Sequence, residues 1–211
     1  MKKSKTKPVG ATSYKDTAFG IIPRQKLLQL ELEGTRRGLK FIKEIFRKEG
    51  KNLLITPNLI LDIHKRSFAW IFPQWAGKYR KIQVEFSGKE APPFYRIPED
   101  VQNLCDDLRK RLEYVSPCQT NYIESVAELL AWFQHKFVFI HPFQDYNGRT
   151  ARIITTLILL KIRLPAIEIR VSGNGRKKYL EAMHAADNGD FSKLEAIISF
   201  ALSESLGKIN V

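Results

Sequence analysis

Twelve residues, from His141 to Arg152, hold the side chains of this sequence that are best suited to chemistry on a phosphate. The run reads HPFQDYNGRTAR and lies between two strongly apolar segments, AWFQHKFVFI and IITTLILLKI. Histidine takes up a proton near neutral pH, so His141 is the candidate general base. Asp145 is the candidate Mg²⁺ ligand, because a carboxylate repels phosphate but binds the cation that accompanies a nucleotide.

The end of this run is predicted to bind an anion. If one core helix ends at Ile140 and the next begins near Asn147, the second helix presents free backbone N–H groups at its positive end. Gly148 lets a phosphate approach this backbone, and Arg149 and Arg152, three residues apart, share one face of the helix. We therefore predict that Asn147, Gly148, Arg149 and Arg152 bind the phosphates of a nucleotide.

Each of these residues also has a commoner structural explanation. His141 would serve as a helix C-cap, Asp145 as an N-cap, the Asn-Gly pair as a turn and the arginines as solvated charges. Five polar groups that converge at a helix start between apolar segments favour a functional site over this alternative. The sequence holds no P-loop, HExxH or GxSxG motif that would indicate another chemistry.

The spacing of apolar residues predicts a mainly helical single domain around this run. Helices are predicted at 23–33, about 35–48, 56–72, 99–114, 121–140, 149–163, 177–187 and 192–205. Gly34 and Gly38 separate the first two of these. Asn121 followed by Glu124 resembles a capping box at the start of the fifth. Residues 173–176 are predicted to be a polar loop before the next helix.

One short β-hairpin is predicted in addition to the helices. Ile82, Val84 and Phe86 alternate with polar residues, and Ser87 and Gly88 supply a turn. This is the only convincing strand signal in the sequence. The predicted organisation is a basic, disordered tail over residues 1–20 and one domain over 21–211.

Charge and composition restrict the function classes less sharply than the motif does. The 211 residues are 44% hydrophobic, and 35 Lys and Arg against 22 Asp and Glu give a net charge of +13, which favours anionic partners. Nucleic acid remains an alternative partner but is not favoured. Two cysteines without metal-type spacing indicate neither a disulfide framework nor a zinc site. No apolar run is long enough to span a membrane, so a cytoplasmic protein is expected.

The run 141–152 resembles the signature of the Fic family, His-Pro-Phe-x-(Asp/Glu)-Gly-Asn-Gly-Arg-x-x-Arg. Among the specified positions only Tyr146 departs from it, at a position where the family has glycine. The segment WAGKYR at 75–80 is similar to the region that leads into the family's flap. Residues 179–182 and 189–190 fit the family's C-terminal helices. The resemblance implies a helical Fic fold with one short hairpin as its flap.

The same resemblance implies an enzyme that transfers AMP from ATP to a Ser, Thr or Tyr hydroxyl of a protein, with self-modification as one outcome. His141 would deprotonate the hydroxyl, and Asp145 would hold a Mg²⁺ ion between the α- and β-phosphates. Backbone amides at 147 and 148 with Arg149 would bind the diphosphate, and Arg152 would orient the γ-phosphate. Chemistry of this kind depends on positioning and charge neutralisation.

Two further elements are implied by the resemblance. The hairpin, within a flap at about 78–95, would pair with the target backbone through Ile82, Gln83 and Val84, although a purely structural hairpin is an alternative. An inhibitory helix at about 24–34 would end in Glu33 and Gly34, with Glu33 paired to the second motif arginine. Position 29 is glutamine where that family pattern has Ser or Thr.

Tyr146 leaves other functions open. A tyrosine resists positive φ and adds bulk beside the phosphates, so a different donor or the removal of AMP are alternatives within the family. A catalytically weak basic module that binds nucleic acid is an alternative from another class. The intact set of His141, Asp145, Asn147, Arg149 and Arg152 favours the transferase.

Overall fold

Helices make up most of the computed structural model, which describes residues 14–86 and 88–208. The helices are α1 (Arg24–Glu49), α2 (Pro57–Phe68), α3 (Ile97–Tyr114), α4 (Tyr122–Ile140), α5 (Asn147–Lys161), α6 (Gly173–Asp187) and α7 (Ser192–Gly207). Two antiparallel hairpins pair β1 (Tyr14–Thr17) with β2 (Gly20–Pro23) and β3 (Glu85–Phe86) with β4 (Lys89–Glu90). Short 3-10 helices follow α1 and precede α3, at Gly50–Asn52 and Phe94–Arg96. The predicted mainly helical class is confirmed.

The first hairpin corrects the predicted tail. Residues 1–13 lie outside the described residues, but β1 and β2 occupy part of the segment that was assigned to a disordered tail ending at residue 20. This hairpin lies against α1, and the backbone N–H of Ala18 donates to the carbonyl of Ile71 at 2.8 Å. The strands lack the period-two alternation of apolar residues, because they are paired on a helical surface and have no sheet to pack against.

Helix α5 lies at the centre of the main core, as its apolar sequence predicts. It contacts α1, α2 and α4, and its fully buried residues share no single face. The aliphatic side chains among them are Ile153, Ile154, Leu157, Ile158 and Leu159. A helix that is apolar on nearly all sides must be surrounded by other elements. Its first turn, which carries the polar motif, is therefore fixed by the best-packed part of the protein.

Helix α1 is continuous, which corrects the predicted break at Gly34 and Gly38. Both glycines face α2, where the two helices approach closely. A Cβ atom on Gly34 would lie 2.6 Å from the carbonyl oxygen of Ser67, and one on Gly38 would meet the Ser67 hydroxyl and Ile153. The sequence predicts two helices because glycine weakens a helix, but here glycine permits close packing of two helices.

The ends of the other helices agree with the predictions in part. The side chain of Thr56 accepts a hydrogen bond from the Leu59 N–H at 3.2 Å and caps α2, as expected from the Thr-Pro-Asn sequence. Asn121 precedes α4 without a side-chain cap, so the predicted capping box is wrong. Helix α6 already begins at Gly173, where a loop was predicted; after an extended Ser172, this glycine turns the chain into the helix with a left-handed φ of 52°, which glycine adopts without steric cost.

A second, smaller hydrophobic cluster lies beside the main core and is formed largely by aromatic residues. Its buried members are Leu27, Phe68, Ile71, Phe72, Ala76 and Tyr146. Tyr146 belongs to the motif, so this cluster connects α1 and α2 to the functional run.

Within the described residues no helix is long and apolar enough to cross a bilayer. Both cysteines are free thiols: Cys105 is buried and Cys118 is exposed.

We predict that Gly34→Ala destabilises the protein. Alanine gains about 1 kcal/mol of helix propensity, but its methyl group would overlap the Ser67 carbonyl. Overpacking of this kind costs up to about 3 kcal/mol, so we expect a net loss of up to about 2 kcal/mol in the free energy of unfolding. Urea unfolding measures the difference in the free energy of unfolding. Gly207→Ala is the matched control, because a Cβ there has no neighbour within 4 Å. Equal midpoints for the two variants would contradict the close contact of α1 with α2.

Candidate functional site

The imidazole of His141 is oriented as a proton acceptor. His141 follows α4 in the left-handed conformation, with φ of 50°, and its Nδ1 lies 3.2 Å from the carbonyl oxygen of Val138. A carbonyl only accepts hydrogen bonds, so Nδ1 carries the proton and Nε2 keeps a lone pair. Burial lowers the pKa of His141 from its ordinary value, and the neighbouring charge of Arg80 acts in the same direction. The ring is thus neutral near pH 7.

Arg80 ties the flap to the loop that carries His141. Its guanidinium, in a residue that is only 3% exposed, donates from Nε to the His141 carbonyl at 2.8 Å and from Nη1 to the Ile82 carbonyl at 2.9 Å. Nη2 donates to the Pro92 carbonyl at 2.5 Å, and the backbone N–H of Arg80 donates to the Pro142 carbonyl at 2.9 Å. The buried Arg80 side chain therefore binds both ends of the hairpin segment, at Ile82 and Pro92, and the turn after α4, at His141.

The flap covers the candidate base. The ring of Phe86 in β3 stacks on the His141 imidazole, with centroids 4.3 Å apart and an interplanar angle of 15°. Lys89 in β4 forms an ion pair with Asp187 at the end of α6. The same carboxylate of Asp187 lies 2.9 Å from Nε2 of His135 in α4. These contacts hold the hairpin against α4 and α6.

The residues predicted to dock a target precede the paired strand. Ile82, Gln83 and Val84 lie in irregular backbone, and the hairpin is shorter than predicted. Ile82 is 53% exposed, whereas the Gln83 side chain donates to the carbonyl of Ala91 and the Val84 carbonyl accepts the Ala91 N–H at 2.9 Å. This segment is accessible to a partner, with the Ile82 side chain as its exposed apolar group.

The motif loop is closed by Asn147. Its side-chain amide donates to the Phe143 carbonyl at 2.8 Å and its side-chain oxygen accepts the Phe143 N–H at 2.9 Å. Since both polar atoms of this 2% exposed residue are used, only its backbone is available to an anion. Asn147 thus shapes the predicted phosphate site and does not present its side chain to it.

His64 in α2 packs against the same loop and forms a hydrogen bond to its backbone. The Gly77 N–H donates to its Nδ1 at 2.8 Å, so Nε2 carries the proton and donates to the Asp145 carbonyl at 3.2 Å. Its ring stacks on Phe143 at a centroid distance of 3.7 Å. Burial lowers the pKa of His64 to about 4, so this histidine is a neutral structural support.

The first turn of α5 is open to an anion. The helix has no side-chain cap, which leaves its first N–H groups for another acceptor. Nη1 of Arg152 lies 3.4 Å from the position that a Cβ on Gly148 would occupy, so a cation flanks this half-buried backbone. The Arg152 guanidinium also faces the hydroxyl of Tyr179 in α6, and burial lowers the pKa of Arg152.

Asp145 is suited to a shared metal ion and not to an all-protein metal site. One carboxylate oxygen accepts the N–H of Tyr146 at 2.6 Å. Across the described residues no group of three or more His, Cys, Asp or Glu could hold a metal ion. Mg²⁺ commonly uses one or two carboxylates and completes its shell with water and substrate phosphates. Asp145 therefore fits Mg²⁺ that arrives with a nucleotide.

A buried glutamate that the sequence analysis did not single out reaches the motif. Glu31 in α1 is 0% exposed; one carboxylate oxygen accepts the Tyr146 hydroxyl at 2.8 Å and the other accepts Nη2 of Arg149 at 2.7 Å. Tyr146 has a φ of 62°, the conformation that suits the glycine usual in the motif. Its ring stacks on Phe68 at 4.4 Å.

The predicted pairing of Glu33 with Arg152 is wrong. The Glu33 carboxylate is 43% exposed and pairs with two arginines of its own helix, at 3.3 Å from Nε of Arg37 and 3.7 Å from Nη1 of Arg36. Two residues along a helix correspond to about 200° of rotation, so Glu31 and Glu33 face opposite sides of α1. Only the residue on the inner side reaches the motif.

Four supporting residues were missed because nothing local marks them. Glu31 is one of several acids in α1, His64 lies within a predicted helix, Arg80 is one of many cations, and Phe86 is one of the apolar residues of the hairpin. One weak signal was present for Arg80. It ends the segment WAGKYR, whose aromatic, alanine and glycine residues are more typical of a buried segment than of an exposed one. The other partners lie 50 or more residues from the groups they contact.

We predict that Phe86→Ala raises the pKa of His141 toward the ordinary 6.5, because removal of the stacked ring returns water to the imidazole. A higher pKa means that the basic form is lost at a higher pH on acidification. NMR titration of the imidazole signals of the four histidines gives the value directly. Phe139→Ala is the control, since that ring lies beside His135. An unchanged His141 pKa in folded Phe86→Ala would show that the flap does not shield the base.

Comparison with known proteins agrees with this geometry. The profile described as "Fic/DOC family" matches residues 54–159, which contain α2, the flap, α3, α4 and most of α5. The chain is 32% identical to "Protein adenylyltransferase Fic" of Nematostella vectensis over 80% of its own length, and 30% identical to "Protein adenylyltransferase fic-1" of Caenorhabditis elegans over 76%. It spans only 37% and 29% of the lengths of those relatives.

The fold is shared as well. The structure of Fic-1 (residues 134–508) from C. elegans aligns with a TM-score of 0.70 at 25% identity, covering 85% of this chain and 51% of that one. The Fic domain of a Bartonella effector protein from Bartonella sp. AR 15-3 aligns over 97% of this chain with a TM-score of 0.63. The motif, the helical architecture and the matched profile together place this chain in the Fic/DOC family.

Proposed function

We propose that the protein transfers AMP from ATP to a hydroxyl group of a target protein. The observation that carries this proposal is the position of His141, with an available Nε2, next to an uncapped helix start that two arginines flank. This arrangement combines a base with a binding site for a polyanion. The relatives named protein adenylyltransferases support the choice of AMP as the transferred group.

The reaction assigns one task to each group. Nε2 of His141 takes the proton as the acceptor oxygen attacks the α-phosphorus, and diphosphate leaves with the electrons of the broken P–O bond. The N–H groups at the start of α5, with Arg149 and Arg152, neutralise the charge on the phosphates. Asp145 would hold Mg²⁺, which supplies further charge neutralisation on the phosphates when it is bound.

The flap would orient the target. Ile82 offers an exposed apolar side chain at the segment before β3, and Arg80 connects that segment to the His141 carbonyl. A peptide that lies along Ile82, Gln83 and Val84 would therefore be held at a fixed distance from the base. The chain's net charge of +13 favours an acidic target surface.

The test is incubation of the purified protein with Mg²⁺ and ATP labelled on the α-phosphate. We expect label on the protein and a mass increase of one AMP, from self-modification. His141→Ala should lower the rate at least about 100-fold, since a positioned base typically contributes that much. His184→Ala is the matched control, because that imidazole is 53% exposed on α6 and outside the site.

Two results would contradict the proposal. Label that persists in His141→Ala would show that another group activates the acceptor. Failure of the wild-type protein to bind ATP would show that the start of α5 is not a nucleotide site. Binding is measured separately by isothermal titration calorimetry with ATP and Mg²⁺, so that a missing target is distinguished from a missing donor site.

A further inference from the structure

Glu31 connects α1 to the motif by charge. Its carboxylate is 0% exposed and lies between two donors that both belong to the run 141–152. An ionised carboxylate is stable in such a place only when donors and an opposite charge surround it. Arg149 supplies a charge-assisted hydrogen bond of 2.7 Å, and the Tyr146 hydroxyl supplies one of 2.8 Å. Glu31 is therefore part of the site and not of the helix surface.

Tyr146 is a rigid donor to Glu31. Its ring stacks on Phe68 at 4.4 Å and lies nearly parallel to Trp75 at 5.9 Å, so it has little freedom to rotate. Its left-handed backbone is unfavourable for a bulky residue, and the aromatic packing must offset this cost. A carboxylate only accepts hydrogen bonds, so the Tyr146 hydroxyl is the donor in this pair.

Arg149 keeps donors for a second anion while it is held by Glu31. The recorded bond to Glu31 uses one terminal nitrogen, and a guanidinium carries further N–H groups in the same plane. Its side chain is 21% exposed, so part of the group faces solvent. A buried ion pair of this kind is costly to separate, because the carboxylate would lose a charged donor. The pair should persist when a nucleotide binds.

We propose that Glu31 and Tyr146 are positioning residues that hold the Arg149 guanidinium ready for the diphosphate portion of ATP. The Glu31 carboxylate holds the Arg149 guanidinium in place, and the Tyr146 hydroxyl holds the Glu31 carboxylate. This gives the tyrosine a role at the position where the family motif has glycine. This inference rests on the proposed function, because that function assigns Arg149 to the leaving diphosphate. It differs from inhibition, in which Glu31 would compete with the phosphates for Arg149.

The experiment measures the binding of ATP and, separately, of AMP to the full chain in the presence of Mg²⁺ by calorimetry. Glu31→Gln keeps the shape but loses the charge and one acceptor oxygen, and Tyr146→Phe removes only the hydroxyl. The matched control is Glu33→Gln, the same substitution on the exposed side of α1. Thermal unfolding of every variant checks that the fold is retained.

We expect Glu31→Gln to weaken ATP binding about tenfold, because the carboxylate that pairs with Arg149 is lost, and Tyr146→Phe about threefold, because only one hydrogen bond that orients this carboxylate is lost. AMP binding should stay unchanged, because AMP lacks the diphosphate. A structural role alone would weaken both nucleotides equally, so the difference between ATP and AMP carries the test. Glu33→Gln should behave as wild type.

Several outcomes overturn this inference. Tighter ATP binding or faster self-modification in Glu31→Gln would identify Glu31 as an inhibitor. Unchanged ATP affinity in Glu31→Gln, or equal losses of affinity for ATP and AMP, would show that Glu31 has a structural role only. In each of these cases the wild type still binds ATP and the proposed function survives. If the wild type binds neither nucleotide, the proposed function and this inference fail together.

Discussion

A single buried cation, Arg80, determines how the active loop and the flap lie relative to each other. Its guanidinium donates to carbonyls from three separate chain segments, at Ile82, Pro92 and His141, and its recorded acceptors are all backbone oxygens. Because carbonyl positions depend on backbone conformation, this charge fixes the path of the chain and not the rotamer of a side chain. His141 is held in this way in its left-handed conformation, because its own carbonyl accepts from Arg80 at 2.8 Å.

The site is thus supported from two sides by different interactions. On the flap side, Arg80 holds the backbone carbonyl of His141, and the ring of Phe86 stacks on the imidazole. On the α1 side, the buried carboxylate of Glu31 meets Tyr146 and Arg149 at the start of α5. Between them the motif contributes its own backbone N–H groups. The proposed base and the proposed phosphate site are therefore positioned by separate parts of the fold, which a single mutation can affect separately.

The sequence predicted the helices of the core well, because their evidence is local. The apolar run of α5 and the Thr56 cap of α2 act within one or two turns of helix, so their effect is visible in a short window of sequence. Gly34 was misread since its role depends on Ser67, in another helix. The hairpin of residues 14–23 was missed because it packs on α1 and shows no alternation of its own.

The sequence by itself determined the chemical content of the candidate site: the proposed base His141, the proposed metal ligand Asp145 and the arginines at 149 and 152, since these lie within one short motif. Only the tertiary structure decided which partner each group has. Glu31 and Glu33 are nearly equivalent as sequence, yet one is fully buried against Arg149 and the other pairs with arginines in solvent. The physical reason is that burial depends on which face of α1 packs against α2 and α5, and that choice is made by contacts between residues far apart in the chain.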